Sequence, residues 1–358
     1  MFSPTTAVPG RTLRPNRWDV LALLLVLSLI AIVAWGSRQM SAPYQAGDNV
    51  SRVSLDAWHL PEYALRSVLR MALALIASLI FTLSVATLAA KNRRAEVLII
   101  PAIDILQSVP ILGFLSIVIA GLAGLFPGNL LGVELASIFA IFTSQAWNMT
   151  LSFYQSLKIV PQDLEEASQL FGLSSWQRFW KLEVPFATPG LVWNTMMSVS
   201  GGWFFVVASE AIAVGKFQVS LPGIGSYVAL AIQQKDLRAI GLVLVAMFVV
   251  ILAYDQLLFR PLVAWSEKFR LGDTASQYQS RSWMLDLFRQ TRALRNVVGT
   301  VRAGARTVVR PLPRMRPQRS VKTARRSPHG PRARLLASAI IYGLLGLILA
   351  IGVYRLIA

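Results

Sequence analysis

Seven apolar runs punctuate the chain, each near the roughly 20 residues that a helix needs to cross about 30 Å of hydrocarbon. They cover 20–36, 67–90, 97–125, 130–153, 190–209, 239–259 and 335–354. The pattern predicts an all-α, polytopic bundle of transmembrane helices. The first run is followed by Trp35-Gly-Ser-Arg-Gln-Met40, a poor cleavage site, so it is read as a retained anchor rather than a signal peptide. The third run contains Gln107-Ser-Val-Pro110. Pro110 removes a backbone donor there and should kink or break the helix, either as a packing feature or as part of a solute pathway.

Basic residues in short loops set the expected orientation. Arg11, Arg14 and Arg17 precede the first run, Lys91, Arg93 and Arg94 form a compact cluster after the second, and the 126–134 turn has no basic residue. Alternation then places the amino terminus, the 91–96 turn, the 161–185 stretch and the later basic segment in the cytoplasm, and the carboxyl terminus outside. The expected division is a cytoplasmic segment (1–18), a first span with an external loop (19–62), a core of five spans (63–269), an Arg-rich cytoplasmic linker (270–334) and a seventh span (335–358).

Composition agrees with a membrane protein: 55% of the 358 residues are hydrophobic, only 15% are charged, and mean hydropathy is +0.55. The formal charge of +18 suggests nucleic acid until it is located. Between Phe259 and Arg334 lie 18 Lys and Arg against 3 Asp and Glu, so one segment carries a net +15. Within it Met284, Leu287, Phe288, Leu294, Val298 and Val301 form a helical stripe interleaved with Arg289, Arg292, Arg295 and Arg302. That suits a helix lying on anionic lipid, followed by a linker marked by Pro311, Pro313, Pro317, Pro328 and Pro331. Tethered beside a bilayer, the segment already has an anionic partner, so nucleic acid is not expected.

One stretch between two spans is too polar to enter the membrane: Glu165-Glu-Ala-Ser-Gln-Leu-Phe-Gly-Leu-Ser-Ser-Trp-Gln-Arg-Phe-Trp-Lys-Leu-Glu-Val-Pro185. Pro161 suits a first helical turn, and Asp163, Glu165 and Glu166 sit near the positive end of the helix dipole. Gly172 can take the positive φ that ends this helix, and Ser174 with Gln177 has capping-box spacing for a second one. Pro185 is expected to limit the second helix at Val184. Leu164, Ala167 and Phe171 form one apolar stripe, and Trp176, Phe179 and Trp180 another. A helix, a glycine turn and a helix with an apolar ridge make a docking surface for a helix-in-groove contact.

Glu166-Ala-Ser168, three residues, Gly172, nine residues, then Leu182-Glu-Val-Pro185 resembles the "EAA" loop of binding-protein-dependent ABC transporter permeases. The match covers roughly 65–269, with Ser168 for the second Ala and with Leu182 and Val184 as conservative changes. The resemblance implies that Glu166, Ala167, Ser168, Phe171, Gly172, Leu182 and Pro185 couple to a separate cytoplasmic ATPase that binds the ATP. It also implies a second permease half, homodimeric or a separate chain, and an extracytoplasmic solute-binding protein. The stretch from Gly201 to Ile212 (GGWFFVVASEAI), followed by Leu221-Pro-Gly-Ile-Gly-Ser-Tyr227, is similar to permeases for nitrate, sulfonate, taurine and bicarbonate. In the duplicated members of that group, the last run here would correspond to the first helix of a second half, truncated or separately encoded.

Catalytic signatures are missing from the sequence. No Gly-x-x-x-x-Gly-Lys-Ser/Thr loop occurs, since Gly215-Lys216 is followed by Phe217, so the chain is read as a non-enzymatic subunit. Without cysteine, and with His59 and His329 far apart, no cofactor or metal is expected. Glu210 closes the fifth run at a shallow depth, as a gate or pathway residue or else as a solvated helix end or structural hydrogen bond. Gly201 and Gly202 permit close helix packing, or line the pore. Gly223 and Gly225 read as a turn outside the membrane where a binding protein docks. The competing function is an ATPase-independent secondary transporter or channel, in which the quoted stretch is a gating loop.

Overall fold

A computed structural model describes residues 53–126, 129–214 and 217–269. The expected first and seventh spans, the amphipathic stripe and the proline-marked linker lie outside the described residues. Eight helices and one short hairpin fill the described part. They are α1 (Leu60–Lys91), α2 (Arg93–Ser108), α3 (Ile111–Leu125), α4 (Leu131–Lys158), α5 (Gln162–Leu170), α6 (Ser175–Glu210), β1 (Ala211–Val214), β2 (Phe217–Ser220), α7 (Ile224–Gln233) and α8 (Leu237–Phe269). At 1.5 Å per residue, the 32 residues of α1 extend about 48 Å, long enough to cross a bilayer and project beyond it. Among the described residues, three stretches are long and apolar enough to span: Ala57–Lys91, Ser175–Glu210 and Leu237–Phe269.

The expected third run is two helices rather than one bent helix. α2 ends at Ser108, Val109 is extended (φ −79°, ψ 122°), and α3 restarts at Ile111. The residue before a proline is driven out of the helical region, which ends α2 just where Pro110 predicts. Pro101, earlier in α2, is carried inside the helix. A second surprise is α7, a short apolar helix the hydropathy pattern left as a turn.

α1, α4 and α6 form the packed heart of the bundle, with α1 against α4 and α4 against α6 making the broadest contacts. Met71, Ala74, Ile141, Met149, Phe153, Val199 and Val206 are buried between them. Lipid gives these helices no hydrophobic reason to associate, so close packing and interhelical hydrogen bonds must supply the adhesion. Thr82 Oγ1 pairs with Thr150 Oγ1 at 3.2 Å, and the Ser137 and Ser209 hydroxyls pair at 2.8 Å. Gly202 is buried where a Cβ would stand 3.0 Å from Gln145 Nε2 and 3.2 Å from Met71 Cε, so any side chain there would push those two side chains aside, and glycine suits the close approach of α6. The close-packing role expected for both glycines holds for Gly202 alone. Gly201, one residue on and about 100° around the helix, faces open space.

β1 and β2 pair antiparallel, Ala211 opposite Ser220 and Val214 opposite Phe217, and carry the chain from α6 to α7.

Candidate functional site

Two polar constructions stand at opposite ends of the bundle. One end carries the elbow between α4 and α6, together with the 91–96 turn. The other gathers the start of α1, the start of α4 and the end of α6.

The elbow forms as its capping chemistry dictates. Pro161 precedes α5, with Asp163 and Glu165 in the first turn. Gly172 adopts φ +65°, the left-handed conformation that an L side chain resists. The Gly172 N–H then donates to Gln169 O and the Leu173 N–H to Ser168 O, closing the helix end. Ser174 and Gln177 complete a reciprocal capping box that starts α6. These bonds, all between neighbours in sequence, set the angle between α5 and the start of α6.

What the elbow presents is apolar. Leu170 is 89% exposed and Phe171 83% exposed, at the tip. Trp176 and Trp180 are exposed beside Phe179, which is buried; Trp180 meets both other rings edge to face at 5.0 and 5.6 Å, and Trp176 and Phe179 lie nearly parallel at 6.2 Å. Glu166 is exposed on α5, whereas Ser168 is buried and its hydroxyl donates to Glu165 O at 2.6 Å. Ala167, Leu182 and Pro185 are half-buried. The motif residues therefore divide: Glu166, Phe171 and Gly172 face outward, and Ser168, Leu182 and Pro185 shape the element behind them.

Pro185 does not end the second helix. Ser175 to Glu210 is one helix, containing a π-helical turn at Phe179–Glu183 that closes with the Val184 N–H on Phe179 O. The wider turn relieves the proline ring of its clash with the carbonyl four residues back, so the helix passes through. The elbow's second arm is thus continuous with a membrane span.

A buried carboxylate ties this arm to α1. Glu183 Oε2 lies 2.7 Å from Lys91 Nζ and Oε1 lies 3.2 Å from Arg178 Nε, with only 6% of the Glu183 side chain exposed. Lys91 Nζ also stands 5.3 Å over the Phe179 ring. A groove of about 520 Å³ runs between α1 and the elbow, lined by Leu83, Lys91, Trp176, Phe179 and Trp180 among others. At the same end, Glu96 accepts from the Tyr154 hydroxyl at 2.6 Å and from Lys158 Nζ at 3.0 Å. Those bonds hold its carboxyl below the ordinary range.

The opposite end is closed by a fully buried guanidinium. Arg70 forms a fork on Glu134, Nε to Oε2 at 2.6 Å and Nη2 to Oε1 at 2.7 Å, and its Nη1 donates to Glu210 Oε1 at 2.7 Å and Pro222 O at 3.1 Å. Glu210 also accepts from the Ser67 hydroxyl at 2.6 Å and the Gly225 N–H at 2.7 Å. Its backbone carbonyl takes the Leu221 N–H and the Ser226 hydroxyl. Glu210 is therefore neither shallow nor solvated; it is a buried hub joining α1, α4, α6 and α7. Gly223 and Gly225 are correspondingly not an exposed docking turn. A Cβ at Gly223 would strike the Glu210 carboxyl, and one at Gly225 the Val207 carbonyl. Sequence reading missed Arg70, Glu134 and Ser67. A lone arginine inside the 67–90 apolar run was the available signal, since such a charge needs an internal partner.

Taken together, these features define a polytopic helical membrane protein with one projecting elbow and a sealed charge cluster at the far end. Residues 74–260, more than half of the chain, match the family described as the binding-protein-dependent transport system inner membrane component, and the chain belongs to that family. It is a multi-pass membrane component of a transport system. Similar proteins include the bicarbonate transport system permease protein CmpB of Synechococcus elongatus, 23% identical over 57% of this chain and 67% of that protein. The nitrate import permease protein NrtB of Leptolyngbya laminosa is 22% identical over 58% of this chain and 75% of its own length. The glycine betaine/proline betaine permease ProW of Escherichia coli is 28% identical over 56% of this chain and 54% of its own.

Proposed function

We propose that the chain is the translocating subunit of an ATP-driven importer and that the elbow receives force from a separate ATPase. The observation that carries this is the elbow's inverted surface: a tip of Leu170 and Phe171 that nothing among the described residues covers, on an arm continuous with a span. A groove in a nucleotide-binding partner would bury that tip. Movement of the tip then turns α6 directly and α1 through the Lys91–Glu183 pair, the two helices at the heart of the bundle. ATP binds to the partner, and this chain supplies no catalytic group.

In this reading the elbow end, with Lys91, Arg93 and Arg94, faces the cytoplasm, and the Arg70 cluster faces the extracytoplasmic side where a solute-binding protein delivers. A second permease half completes the pathway, and the Arg-rich 270–334 segment lies against anionic lipid. The solute is a small oxyanion-bearing molecule of the nitrate, bicarbonate, sulfonate or taurine kind; the names of two similar permeases support bicarbonate and nitrate, and the sequence resemblance alone suggests sulfonate and taurine.

ATP-driven uptake in vesicles holding the assembled transporter tests this. Gly172→Val, strained at φ +65° by roughly 1–2 kcal/mol, should leave the bundle assembled and abolish ATP-dependent uptake. Normal uptake by a correctly assembled Gly172→Val transporter overturns the proposal.

A further inference from the structure

The 91–96 turn meets both roots of the elbow, and it does so with opposite charges at its two ends. Lys91, the last residue of α1, pairs with Glu183 at the root of the α6 arm, Nζ to Oε2 at 2.7 Å. Glu96, in the first turn of α2, takes the other root. It accepts from Nζ of Lys158, the last residue of α4, at 3.0 Å and from the Tyr154 hydroxyl, one turn earlier on α4, at 2.6 Å. Each lysine also lies over an aromatic ring beside its carboxylate, Lys91 at 5.3 Å from the Phe179 ring and Lys158 at 5.5 Å from the Tyr154 ring. The arrangement is keyed: exchanging the two roots would set Lys91 against Lys158 and Glu96 against Glu183, like charge on like.

Within the turn, one residue holds the two ends apart. Asn92 separates α1 from α2, and its N–H donates to Leu88 O at 3.1 Å. Its carbonyl accepts the Glu96 N–H at 2.9 Å and its side chain accepts the Arg94 N–H at 3.0 Å. The same residue therefore closes α1 and caps α2, which fixes Lys91 relative to Glu96. An exposed ion pair alone would add little. Here only 6% of the Glu183 side chain and 16% of the Glu96 side chain are exposed, and each carboxylate serves two donors. Helix α2 also has little else to hold it to the elbow: Ile103 is its only buried residue, and it packs on α4 more narrowly than α1 does.

We propose that the 91–96 turn is a clasp on both roots of the elbow, with Glu96 the positioning residue that makes α2 follow the elbow as Lys91 makes α1 follow it. This rests on the coupling reading above and deepens it. The elbow's motion then enters the bundle by α1 and α2 together, and α2 is the helix that breaks before Pro110.

The test needs neither the ATPase nor the solute. The full chain, free of native cysteine, carries nitroxide labels on cysteines introduced at Leu98 of α2 and Leu170 of the elbow, both exposed, and the spread of the distance between the labels is read by dipolar spectroscopy in lipid vesicles. The unaltered chain should give one narrow distribution. Glu96→Gln should widen it at least twofold, and Glu96→Lys, facing Lys158, should widen it further. Glu96→Lys combined with Lys158→Glu should restore the original width, a rescue that loss of general stability would not produce. Tyr154→Phe removes only the hydroxyl's bond and should widen the distribution in part. A broad distribution in the unaltered chain, unchanged widths in Glu96→Gln and Tyr154→Phe, or a reversed pair no narrower than Glu96→Lys alone each overturns the proposal. Failure of the elbow to bind an ATPase would sink the coupling reading and leave these widths as they are.

Discussion

The two ends of the bundle treat polarity in opposite ways. Around Arg70, three charged groups are buried and every one is answered by hydrogen bonds from within the chain. At the elbow, Leu170, Phe171, Trp176 and Trp180 are apolar and exposed, and nothing among the described residues covers the tip. The first end is complete in itself and its geometry is over-determined. The second is shaped by local capping and by the Lys91–Glu183 pair, and its tip is left open toward a partner. A closed charge cluster holds helices in a fixed relation, and an open apolar knob is a place for another protein to push.

Breaking the closed end should have the largest effect. Arg70→Met leaves two buried carboxylates without their cation and should cost about 3–5 kcal/mol, read as lost thermal stability and yield of the detergent-purified chain. Removing the whole cluster, Arg70→Met with Glu134→Gln and Glu210→Gln, should recover much of that loss, because the penalty lies in the unpaired charge. If the triple variant is no better than the single one, the cluster acts by some route other than charge compensation.

At the open end the prediction reverses. Phe171→Ala should change stability by less than about 0.5 kcal/mol, since the ring touches little within the chain. Binding to the ATPase should weaken by about 2 kcal/mol, roughly 30-fold, as expected for an aromatic anchor. Stability and affinity falling together would erase the contrast between the ends.

Glu183→Gln sharpens the link between them. It removes the charge shared by Lys91 and Arg178, both partly exposed, so the stability cost should be only about 1 kcal/mol. ATPase affinity should persist, while uptake per ATP hydrolysed falls, because α1 no longer follows the elbow. Unchanged stoichiometry would restrict force transmission to α6.

The smallest effect concerns pH at Glu96. Its carboxyl is held below the ordinary value, chiefly by the Tyr154 hydroxyl and then by Lys158. A depressed carboxylate stabilises the fold above its unfolded value, about 4.3, and that contribution is lost as pH falls through the lower folded value. The direct expectation for Glu96→Gln is a flatter stability-versus-pH curve below about pH 4.3.

Much of the elbow was legible in advance because its forces are local. Gly172 and the Ser174–Gln177 box act on neighbours in sequence, and both appear in the structure in the role their spacing implies, whereas Pro161, expected in the first turn, is the extended residue just before it. The break before Pro110 belongs to the same kind. Pro185 did not follow, because its local preference is offset by a π-helical turn that keeps the arm joined to its span. Arg70 left a signal, a lone charge inside an apolar run, but its partners did not: they lie 64 and 140 residues away, and only the folded bundle brings them together. The depth of Glu210, though not its structural hydrogen-bond alternative, and the exposure of the glycines at 223 and 225 were misjudged for the same reason. Near the end of a hydrophobic run they look exposed, and a long-range packing of α7 onto α6 buries them.

Site-specific crosslinking tests the central claim most directly, and the absence of native cysteine makes it clean. A single cysteine at Leu170 carries a crosslinker in membranes holding the assembled transporter, and a cysteine at Trp58, exposed at the other end, is the comparison. The account predicts capture of a nucleotide-binding subunit from position 170, in a yield that changes when ATP is added, and none from position 58. No nucleotide-binding subunit at 170, or equal capture at both positions, contradicts it.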